Sequence, residues 1–375
     1  MYDCMIVGAG PAGATAAYHL SKAGHRVLLL DVATLPRYKP CGGGVSPQVA
    51  DWFDFDFAPA ISVKVRKVRY TFNLQDPIEA ELPAASALWM VRRDVFDHFI
   101  VQQAQKQGAT LWDGTKATGL QGQADHWQVE TSRGPVQGRF LIVADGSRGT
   151  MAKGLGFTQR KYVLAAALEA EPRLEVPDDP VVHFDLGLLS QGYVWNFPKA
   201  DGYSIGGGVM RVGKQRKQNL RTPVADYAAE FGVNAGEMQH YGHPIFIWDG
   251  PQVLHTHRAV LAGEAACVVD PFTAEGIRPS IFSGLKAFEA VDRALQGEAT
   301  ALASYTDVMN TEWGEDMRWA RRLAQVVYRA PGLAYRVGMS RSSSTETMAK
   351  VFCGQVSYGE VAQRAIRRLS GGVVG

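Results

Sequence analysis

The sequence predicts a mixed α/β protein in which a parallel-sheet domain is interrupted by an antiparallel-sheet insertion and followed by a helical C-terminal region. It opens with a strand–helix–strand pattern: the apolar run Tyr2–Val7, the helix-forming run Ala14–Lys22 and the apolar run Arg26–Leu30. From about residue 163 to residue 247 the runs become short, alternating and rich in aromatic residues, which is typical of antiparallel strands. A buried-strand pattern returns at Ala259–Ala262, so we expect the first domain to be discontinuous in sequence.

The remaining elements follow in chain order. A helix with a charged face is predicted for Arg93–Gly108 and a third apolar strand for Arg139–Val143. The strands predicted in the insertion are Val181–Phe184, Tyr193–Phe197, Tyr203–Met210 and Pro244–Trp248. A helix is expected over Pro279–Leu295, and the chain from Thr311 onward is mainly helical. We therefore place the parallel-sheet domain at residues 1–70, 90–162 and 250–305, the antiparallel-sheet domain at 71–89 and 163–249, and the helical region at 306–375.

Composition excludes several classes of protein. Of the 375 residues, 46% are hydrophobic, so a disordered chain and a disulfide-stabilised miniprotein are excluded. Lys and Arg number 39 against 37 Asp and Glu, a balance that argues against nucleic-acid binding. No run approaches the ~20 apolar residues of a membrane span, and the opening residues do not resemble a secretory signal. The four cysteines are scattered and the histidines lack metal-ligand spacing, so we expect a cytoplasmic protein without a bound metal.

The first turn carries a phosphate-binding signature. A G-x-G-x-x-G pattern lies after a strand and before a helix, and its residues are Gly8, Gly10, Pro11, Ala12 and Gly13. Gly10 lets a pyrophosphate approach the backbone, and the helix N-terminus supplies partial positive charge. Asp31, at the end of the second strand, is expected to accept hydrogen bonds from the ribose hydroxyls of an adenosine. This Rossmann-like turn predicts a bound dinucleotide without specifying which one.

Two further segments resemble the FAD-binding motifs of the aromatic-hydroxylase-type flavoproteins. Leu261–Ala266 with Pro271–Ile277 resembles their second motif, and the Ala144-Asp145-Gly146 run resembles their intervening Asp-Gly motif. The resemblance implies that FAD is the cofactor, that the acid after the glycine holds the ribityl chain, and that the following helix points its N-terminus at the flavin. The family also has a flavin-contacting arginine at the position of Arg92 or Arg93, and we carry Arg93 forward. The residues that the resemblance assigns to FAD are Arg93, Asp145, Gly146, Gly263, Glu264, Pro271, Ala274, Gly276 and Ile277. The chain departs from the pattern twice, with Glu264 where the family has Asp and Ala274 where it has Gly.

Two more segments narrow the resemblance to the geranylgeranyl reductase family, FAD enzymes that saturate isolated double bonds in prenyl chains. Lys39–Pro47 is similar to the family's K-P-C-G-G-G segment, and Tyr193–Lys199 is similar to its Y-x-W-x-F-P segment. The resemblance extends to about Thr300 and implies a hydrophobic prenyl substrate, with NADPH or ferredoxin as electron donor. Consecutive glycines let a backbone lie against a planar ring, so the residues placed beside the flavin are Cys41, Gly42, Gly43 and Gly44.

The candidate catalytic residues are Cys41 and Tyr193. An unactivated trisubstituted alkene needs a proton on its less substituted carbon as the flavin gives hydride to the other carbon, and the Cys41 thiol is expected to donate or relay that proton. The alternative for Cys41 is a small buried hydrophobic residue. The predicted substrate wall is formed by Tyr193, Trp195, Phe197 and Gly207, and the alternative is a strand whose alternating side chains pack a core.

Two other functions stay open on the sequence. One is a flavin monooxygenase or halogenase, because Tyr193–Pro198 also resembles the W-x-W-x-I-P segment of flavin halogenases, although Lys39 lies in the wrong context for their catalytic lysine. The other is a flavin protein that binds or senses without turnover. The tail also predicts a reversible membrane contact, with a helix packed on the flavin domain as the alternative. The residues on which this prediction rests are Trp313, Arg318, Trp319, Arg321, Arg322, Arg329 and Tyr335.

Overall fold

The computed structural model describes residues 1–210, 218–234, 238–336 and 342–371. Elements are numbered here in chain order. The first domain contains a sheet of parallel strands in the spatial order β8-β2-β1-β11-β18, which are Thr110–Trp112, Val27–Leu30, Tyr2–Val7, Val136–Val143 and Ala259–Leu261. Three antiparallel strands extend it: β17 (His255–Thr256) beside β18, and the hairpin of β9 (Ala117–Gly122) and β10 (Trp127–Thr131) beside β11. The discontinuous segments predicted for this domain therefore share one sheet.

Helices cover this sheet, and the first of them is buried almost throughout its length. They are α1 (Pro11–Lys22), α2 (Arg93–Lys106), the single turn α3 (Met151–Gly154) and α5 (Ile277–Leu295). Helix α1 packs against both α2 and α5, so its small residues are enclosed. It begins at Pro11 and not at the predicted Ala14, because a proline suits the first helical turn. For the same reason α5 begins before Pro279, which lies in its first turn.

The second domain contains a seven-stranded sheet in the spatial order β16-β12-β15-β14-β13-β5-β6. These strands are Tyr241–Trp248, Tyr162–Ala170, Gly202–Val209, Gly192–Lys199, Val181–Asp185, Lys67–Phe72 and Gln75–Glu81. Neighbours are antiparallel except β13 and β5, which are parallel. The predicted boundaries after residues 70 and 162 therefore fall inside β5 and β12. Strand β5 joins this sheet by pairing with β13, a contact between distant segments that local sequence does not reveal.

A small third sheet and several short turns connect the two domains. The small sheet has the order β3-β7-β4, which are Gly44–Val45, Leu88–Met90 and Val63–Val65. Thus the predicted 71–89 segment divides, with β6 in the large sheet and most of β7 in the small one. The 3-10 turns are Pro47–Trp52, Ala58–Ala60, Ala84–Ser86 and Gly263–Ala266. Helix α4 (Arg221–Ala229) covers the outer face of the large sheet, where Val194 and Ile205 contact Val224 and Tyr227.

The C-terminal helices wrap around both domains. They are α6 (Ala301–Val308), α7 (Gly314–Arg329), α8 (Pro331–Ala334), α9 (Ser342–Phe352) and α10 (Tyr358–Gly371), with a π-helical turn at Met309–Trp313. Helix α9 packs against β6 and α10 against α7. The Tyr335 hydroxyl donates to the backbone oxygens of Tyr70 and Asp76, which fastens the tail to the large sheet. Within the described ranges, no helix has both the length and the apolar character to cross a membrane.

Candidate functional site

A cavity of about 730 Å³ extends from the glycine turn of the first domain to the inner face of the large sheet. The parallel strands β1 and β2 end at the same edge of their sheet, so the loops after them meet at one end of the cavity. Most of the predicted cofactor residues line it, namely Gly8, Gly10, Pro11, Ala12, Asp31, Cys41, Gly42, Gly43, Gly44, Arg93, Asp145, Gly146, Gly263, Glu264, Ala274, Gly276 and Ile277. The fold thus brings together segments from both ends of the chain.

Three predicted site residues do not line the cavity. Gly13 is buried in α1, where a Cβ would lie 1.9 Å from the Gly8 oxygen, so it serves close packing. Pro271 is buried in the loop before Thr273 and does not line the cavity. The prediction for Gly207 is corrected, because a Cβ there would point at Leu189 and Val224 on the outer face of the sheet. Side chains alternate along a strand, so it is the next residue, Gly208, that lines the cavity.

The glycine turn leaves an open cradle beside the start of α1. Gly8 has φ +106°, and a Cβ there would lie 2.3 Å from the Ala144 oxygen, so only glycine fits. A Cβ on Gly10, in contrast, would have no neighbour closer than the Arg37 guanidinium at 3.7 Å. The Asp31 carboxylate accepts from the Ala9 amide at 2.8 Å, which holds the turn in place.

Two buried polar atoms beside the cavity have no hydrogen-bond partner among the described residues. They are Nη1 of Arg37 and Oδ1 of Asp145, and both residues line the cavity. A ligand with phosphate and hydroxyl groups supplies the acceptors and donors that these atoms lack. Together with the open cradle at Gly10, these atoms make the residues present fit FAD. Sequence reasoning missed Arg37, whose only signal was its position shortly after Asp31.

The two arginines at the start of α2 have different partners. Arg93 is buried on the cavity wall and forms two 2.7 Å hydrogen bonds with Asp97. Burial alone lowers the pKa of Arg93, but the Asp97 carboxylate outweighs it, so the pKa lies above its ordinary value. Arg92 instead forms ion pairs with Glu171 and Asp201. Of the two arginines, Arg93 therefore lines the cavity and Arg92 does not.

Glu264 uses its extra methylene group to reach across to the large sheet. Its Oε1 accepts from the Phe246 amide at 3.1 Å, and its Oε2 lies 3.4 Å from Nε2 of His243. The same His243 nitrogen lies 3.0 Å from Nζ of Lys39. Burial raises the pKa of Glu264, but the His243 hydrogen bond and the Lys39 charge outweigh it, so the pKa is lowered. Lys39 and His243 both line the cavity, and neither was predicted as a site residue.

The loop that carries Cys41 is held by two buried charged residues that sequence reasoning missed. Oε1 of Glu169, on β12, accepts from the Cys41 amide at 2.6 Å and from the Tyr38 hydroxyl at 3.0 Å. Nζ of Lys199, on β14, donates to the Gly42 oxygen at 2.6 Å and to the Val91 oxygen at 2.9 Å. Their only sequence signal was a charged residue within or next to an apolar strand.

The two segments that resemble the geranylgeranyl reductase family touch each other. A Cβ on Gly42 would lie 2.9 Å from the Phe197 ring and 3.2 Å from the Trp195 indole nitrogen. The planar rings against which this glycine lies are therefore those of β14. The two segments therefore shape one end of the cavity together.

The Cys41 thiol is half-buried on the cavity wall, among basic side chains. The side chains of Arg93, Lys39 and Lys199 lie near it. The other cysteines, Cys4, Cys267 and Cys353, are buried away from the cavity wall, and burial raises the pKa of both Cys267 and Cys353 to about 12. Cys41 is therefore the thiol that meets the cavity.

The aromatic residues of β14 both pack a core and line the cavity. Tyr193, Trp195 and Phe197 lie on one face of the strand, and all three are on the cavity wall. The Trp195 indole donates to the Ser204 hydroxyl at 3.2 Å. The Tyr193 hydroxyl donates to the Thr273 oxygen, so it ties the large sheet to the loop before α5. Burial raises the pKa of Tyr193, which makes its phenol a weaker acid.

The second departure from the FAD motif falls at a strained position. Ala274 has φ +56°, in the left-handed region that favours glycine. Its amide donates to the Asp270 oxygen at 3.0 Å, so the loop keeps a tight turn in spite of the side chain. The alanine methyl group lines the cavity near the N-terminus of α5.

Comparison with known proteins agrees with these features. A family model described as an FAD binding domain matches residues 1–184. The geranylgeranyl diphosphate reductase of a Synechocystis species is 30% identical over 72% of this chain and 70% of its own. Digeranylgeranylglycerophospholipid reductase 1 of Methanothermobacter thermautotrophicus is 27% identical over 84% of each chain.

Two solved structures show the same fold at lower identity. A geranylgeranyl bacteriochlorophyll reductase-like protein from Thermoplasma acidophilum superposes with a TM-score of 0.75 at 21% identity, over 96% of this chain and 93% of that one. A flavin-dependent brominase superposes with a TM-score of 0.71 at 17% identity, over 94% and 93%. At such identities the likeness concerns the fold, whereas the Synechocystis relative, at 30% identity, shows the family. The chain belongs to the geranylgeranyl reductase family of FAD-dependent oxidoreductases, with FAD as its cofactor.

Proposed function

We propose that this protein saturates isolated carbon–carbon double bonds in a prenyl chain. The observation that carries the proposal is a single cavity that joins the cofactor cradle at Gly10 to an aromatic wall and a thiol. The relatives named above act, by their names, on geranylgeranyl compounds. Reduced FAD, when bound, supplies the hydride for such a reaction.

Residues of the chain are proposed to bind the substrate, to supply the proton and to position the proton donor. Trp195 and Phe197 form an apolar surface against which a hydrocarbon chain is expected to lie with water excluded. Cys41 holds a proton on Sγ beside this surface, where an alkene carbon requires it. Glu169 and Lys199 position Cys41 by fixing the backbone on either side of it. In this proposal Tyr193 is a positioning residue, because its hydroxyl is bonded to the Thr273 oxygen.

The monooxygenase or halogenase alternative has less support from the site. The resemblance to flavin halogenases implies a catalytic lysine, and Lys39 lies in the wrong sequence context for it. Lys39 instead lies beside His243 and Glu264, where the resemblance puts the ribityl chain. The shared fold with a brominase does not outweigh this arrangement.

A stopped-flow experiment with Cys41→Ser tests the proposal. The enzyme is first reduced anaerobically with NADPH or with reduced ferredoxin, which also identifies the donor. It is then mixed with geranylgeranyl diphosphate, and flavin reoxidation is followed by absorbance. We expect the substitution to slow reoxidation by roughly 10²-fold or more and to leave flavin reduction unchanged. Cys4→Ser, in the core of β1, is the matched control.

The two half-reactions separate the outcomes. Equal loss in both would mean that Cys41 only shapes the cavity. Failure of the wild-type flavin to reoxidise with any prenyl compound, combined with a stable oxygen adduct in air, would instead support the monooxygenase alternative.

We also propose that the enzyme reaches a membrane-held prenyl substrate through the exposed face of α7. Arg318, Arg321 and Arg322 are exposed there, beside Val326, whose exposure is 67%. Basic residues near anionic lipid contribute about 1 kcal/mol each. The prediction is corrected for two of its three aromatic residues, because Trp313 is buried and donates to the Val268 oxygen, while Tyr335 is buried against the large sheet. The third, Trp319, is partly exposed, with the Arg322 guanidinium 4.6 Å from its ring centroid.

Liposome flotation tests this surface. The wild type is expected to float with anionic vesicles at low salt, and exchange of the three α7 arginines for Glu is expected to abolish flotation. The same exchange at three exposed basic residues elsewhere, Lys106, Arg133 and Lys153, is the control. Equal flotation of the two triple variants would assign binding to net charge and not to α7.

A further inference from the structure

The wall between the main cavity and a smaller neighbouring cavity contains a carboxylate that the proposed reaction does not yet use. The smaller cavity has a volume of about 190 Å³ and lies between the loop before α5 and the C-terminal helices. Thr273, Glu275 and Phe352 line both cavities. Of these three, only Glu275 carries an ionisable group. Because it lines both cavities, this group lies between them.

Glu275 is fixed in this wall by the backbone around it. Its Oε1 accepts from the Arg278 amide at 2.7 Å, in the first turn of α5. The backbone amide of Glu275 donates to the Thr273 hydroxyl at 3.2 Å, and its backbone carbonyl oxygen accepts from the Asp270 amide at 3.0 Å. Because Oε1 has this partner, the carboxyl group keeps one orientation between the two cavities.

Charged and titratable groups face Glu275 from several elements. Asp270 and Arg278 belong to its own loop and helix, Tyr193 belongs to β14, Asp316 to α7 and Tyr358 to α10. Burial raises the pKa of Glu275 to about 7, with Asp270 adding to the effect and Arg278 opposing it. A carboxyl group in this range exchanges its proton near neutral pH, as a proton carrier requires.

The smaller cavity has the polar lining that ordered water needs. Asp270, Asp316 and Ser357 lie on its wall, and Glu312, with a side chain 54% exposed, lies on the solvent side. Water in a cavity of this kind, bonded to several polar groups, can pass protons along a chain. The C-terminal helices therefore enclose a cavity with several polar groups on the far side of Glu275 from the main cavity.

We propose that Glu275 carries protons from solvent, through the smaller cavity, into the main cavity. This inference rests on the proposed function, because each saturated double bond takes one hydride and one proton. In the step assigned to Glu275, the O–H bond of the carboxylic acid breaks and the proton passes, through water in the main cavity that both residues line, to the thiolate that Cys41 becomes when it protonates the alkene, which restores the S–H bond. The Glu275 carboxylate then takes a proton from solvent water, and no electrons move.

The test uses Glu275→Gln, which keeps an acceptor oxygen for the Arg278 amide but holds no exchangeable acid. Glu289→Gln, in the part of α5 that faces solvent, is the matched control. In the holoenzyme, reduced and mixed with geranylgeranyl diphosphate, we expect Glu275→Gln to lower steady-state turnover by roughly 10²-fold. The wild-type rate is expected to fall as pH rises through about 7, since the acid form is the one required, and this fall is expected to disappear in the variant.

Infrared spectroscopy of the flavin-free protein gives a readout that does not depend on turnover. We expect a carboxylic-acid band that titrates near pH 7 in the wild type and in Glu289→Gln but is missing in Glu275→Gln. Val356→Phe, which fills the smaller cavity, is expected to slow the shift of this band on transfer to D₂O.

The outcomes separate the inference from the function on which it rests. If the wild-type enzyme turns over and Glu275→Gln has the same rate and the same pH profile, the inference alone would be overturned. The absence of the titrating band from the wild type would do the same. A wild-type enzyme that never reoxidises with a prenyl compound would overturn the proposed function, and the infrared titration would still decide whether Glu275 holds a proton near neutral pH. Unchanged deuterium exchange in Val356→Phe would refute the route through the smaller cavity.

Discussion

Lys199 makes possible a quantitative test of how the Cys41 loop is held. Its side chain is fully buried and its two hydrogen bonds end on the Gly42 and Val91 oxygens. Burial lowers the pKa of Lys199 from 10.5 to about 8, although nearby acidic groups oppose the change. At 1.36 kcal/mol per pKa unit, keeping the ammonium charged at neutral pH costs about 3 kcal/mol. The lysine therefore holds the loop at the expense of overall stability.

The substitution Lys199→Met leaves an unbranched side chain that is one atom shorter, and it removes both the charge and the donor. The burial cost of about 3 kcal/mol disappears, while two carbonyl oxygens lose their partner at about 1–3 kcal/mol each. These changes nearly cancel, so the variant is expected to fold with a free energy of unfolding within about 3 kcal/mol of the wild type. The loop, however, is released from β14. If the released loop contributes about 1.4 kcal/mol less to the free energy of FAD binding, FAD will bind tenfold more weakly.

Two measurements check this reasoning. The first is FAD affinity, by titration of the flavin-free protein and flavin fluorescence. The second is chemical denaturation at neutral pH and near pH 10.5. Between about pH 8 and 10.5 the unfolded lysine binds a proton that the folded one has lost, so wild-type stability rises with pH relative to the variant, by up to about 3 kcal/mol. Equal FAD affinity together with a pH-independent stability difference would refute the assignment.

Two further predictions concern the cofactor cradle and the loop before α5. Gly10→Val is expected to fold normally, because a Cβ there meets nothing closer than 3.7 Å, but to lose FAD, since the side chain fills the cradle; a variant that purifies with full flavin absorbance would contradict the assignment. Ala274→Gly is expected to stabilise the protein by about 0.5–1 kcal/mol in denaturant melts, because it relieves a left-handed alanine, and a lower stability would show that the alanine methyl contributes more by packing than it loses by strain.

The sequence by itself determined the cofactor turn, because that structure is local. The strand before Gly8, the proline at the start of α1 and Asp31 after β2 all lie within about thirty residues, and each has one main structural reason to be there. The same holds for the alternation of Tyr193, Trp195 and Phe197, which follows from strand geometry. Choosing Gly207 over Gly208 failed, since strand periodicity does not say which face meets the cavity.

Only the tertiary structure decided how the cavity is held and closed. Glu169 and Lys199 gain their roles from contacts with a loop far away in sequence, and a buried charge in an apolar strand does not indicate its partner. The tail had no recognisable motif, yet Phe352 and Tyr358 enclose the second cavity beside Glu275. Burial by elements from distant parts of the chain is what shifts the pKa of Glu275, and desolvation of that kind exists only after the chain has folded.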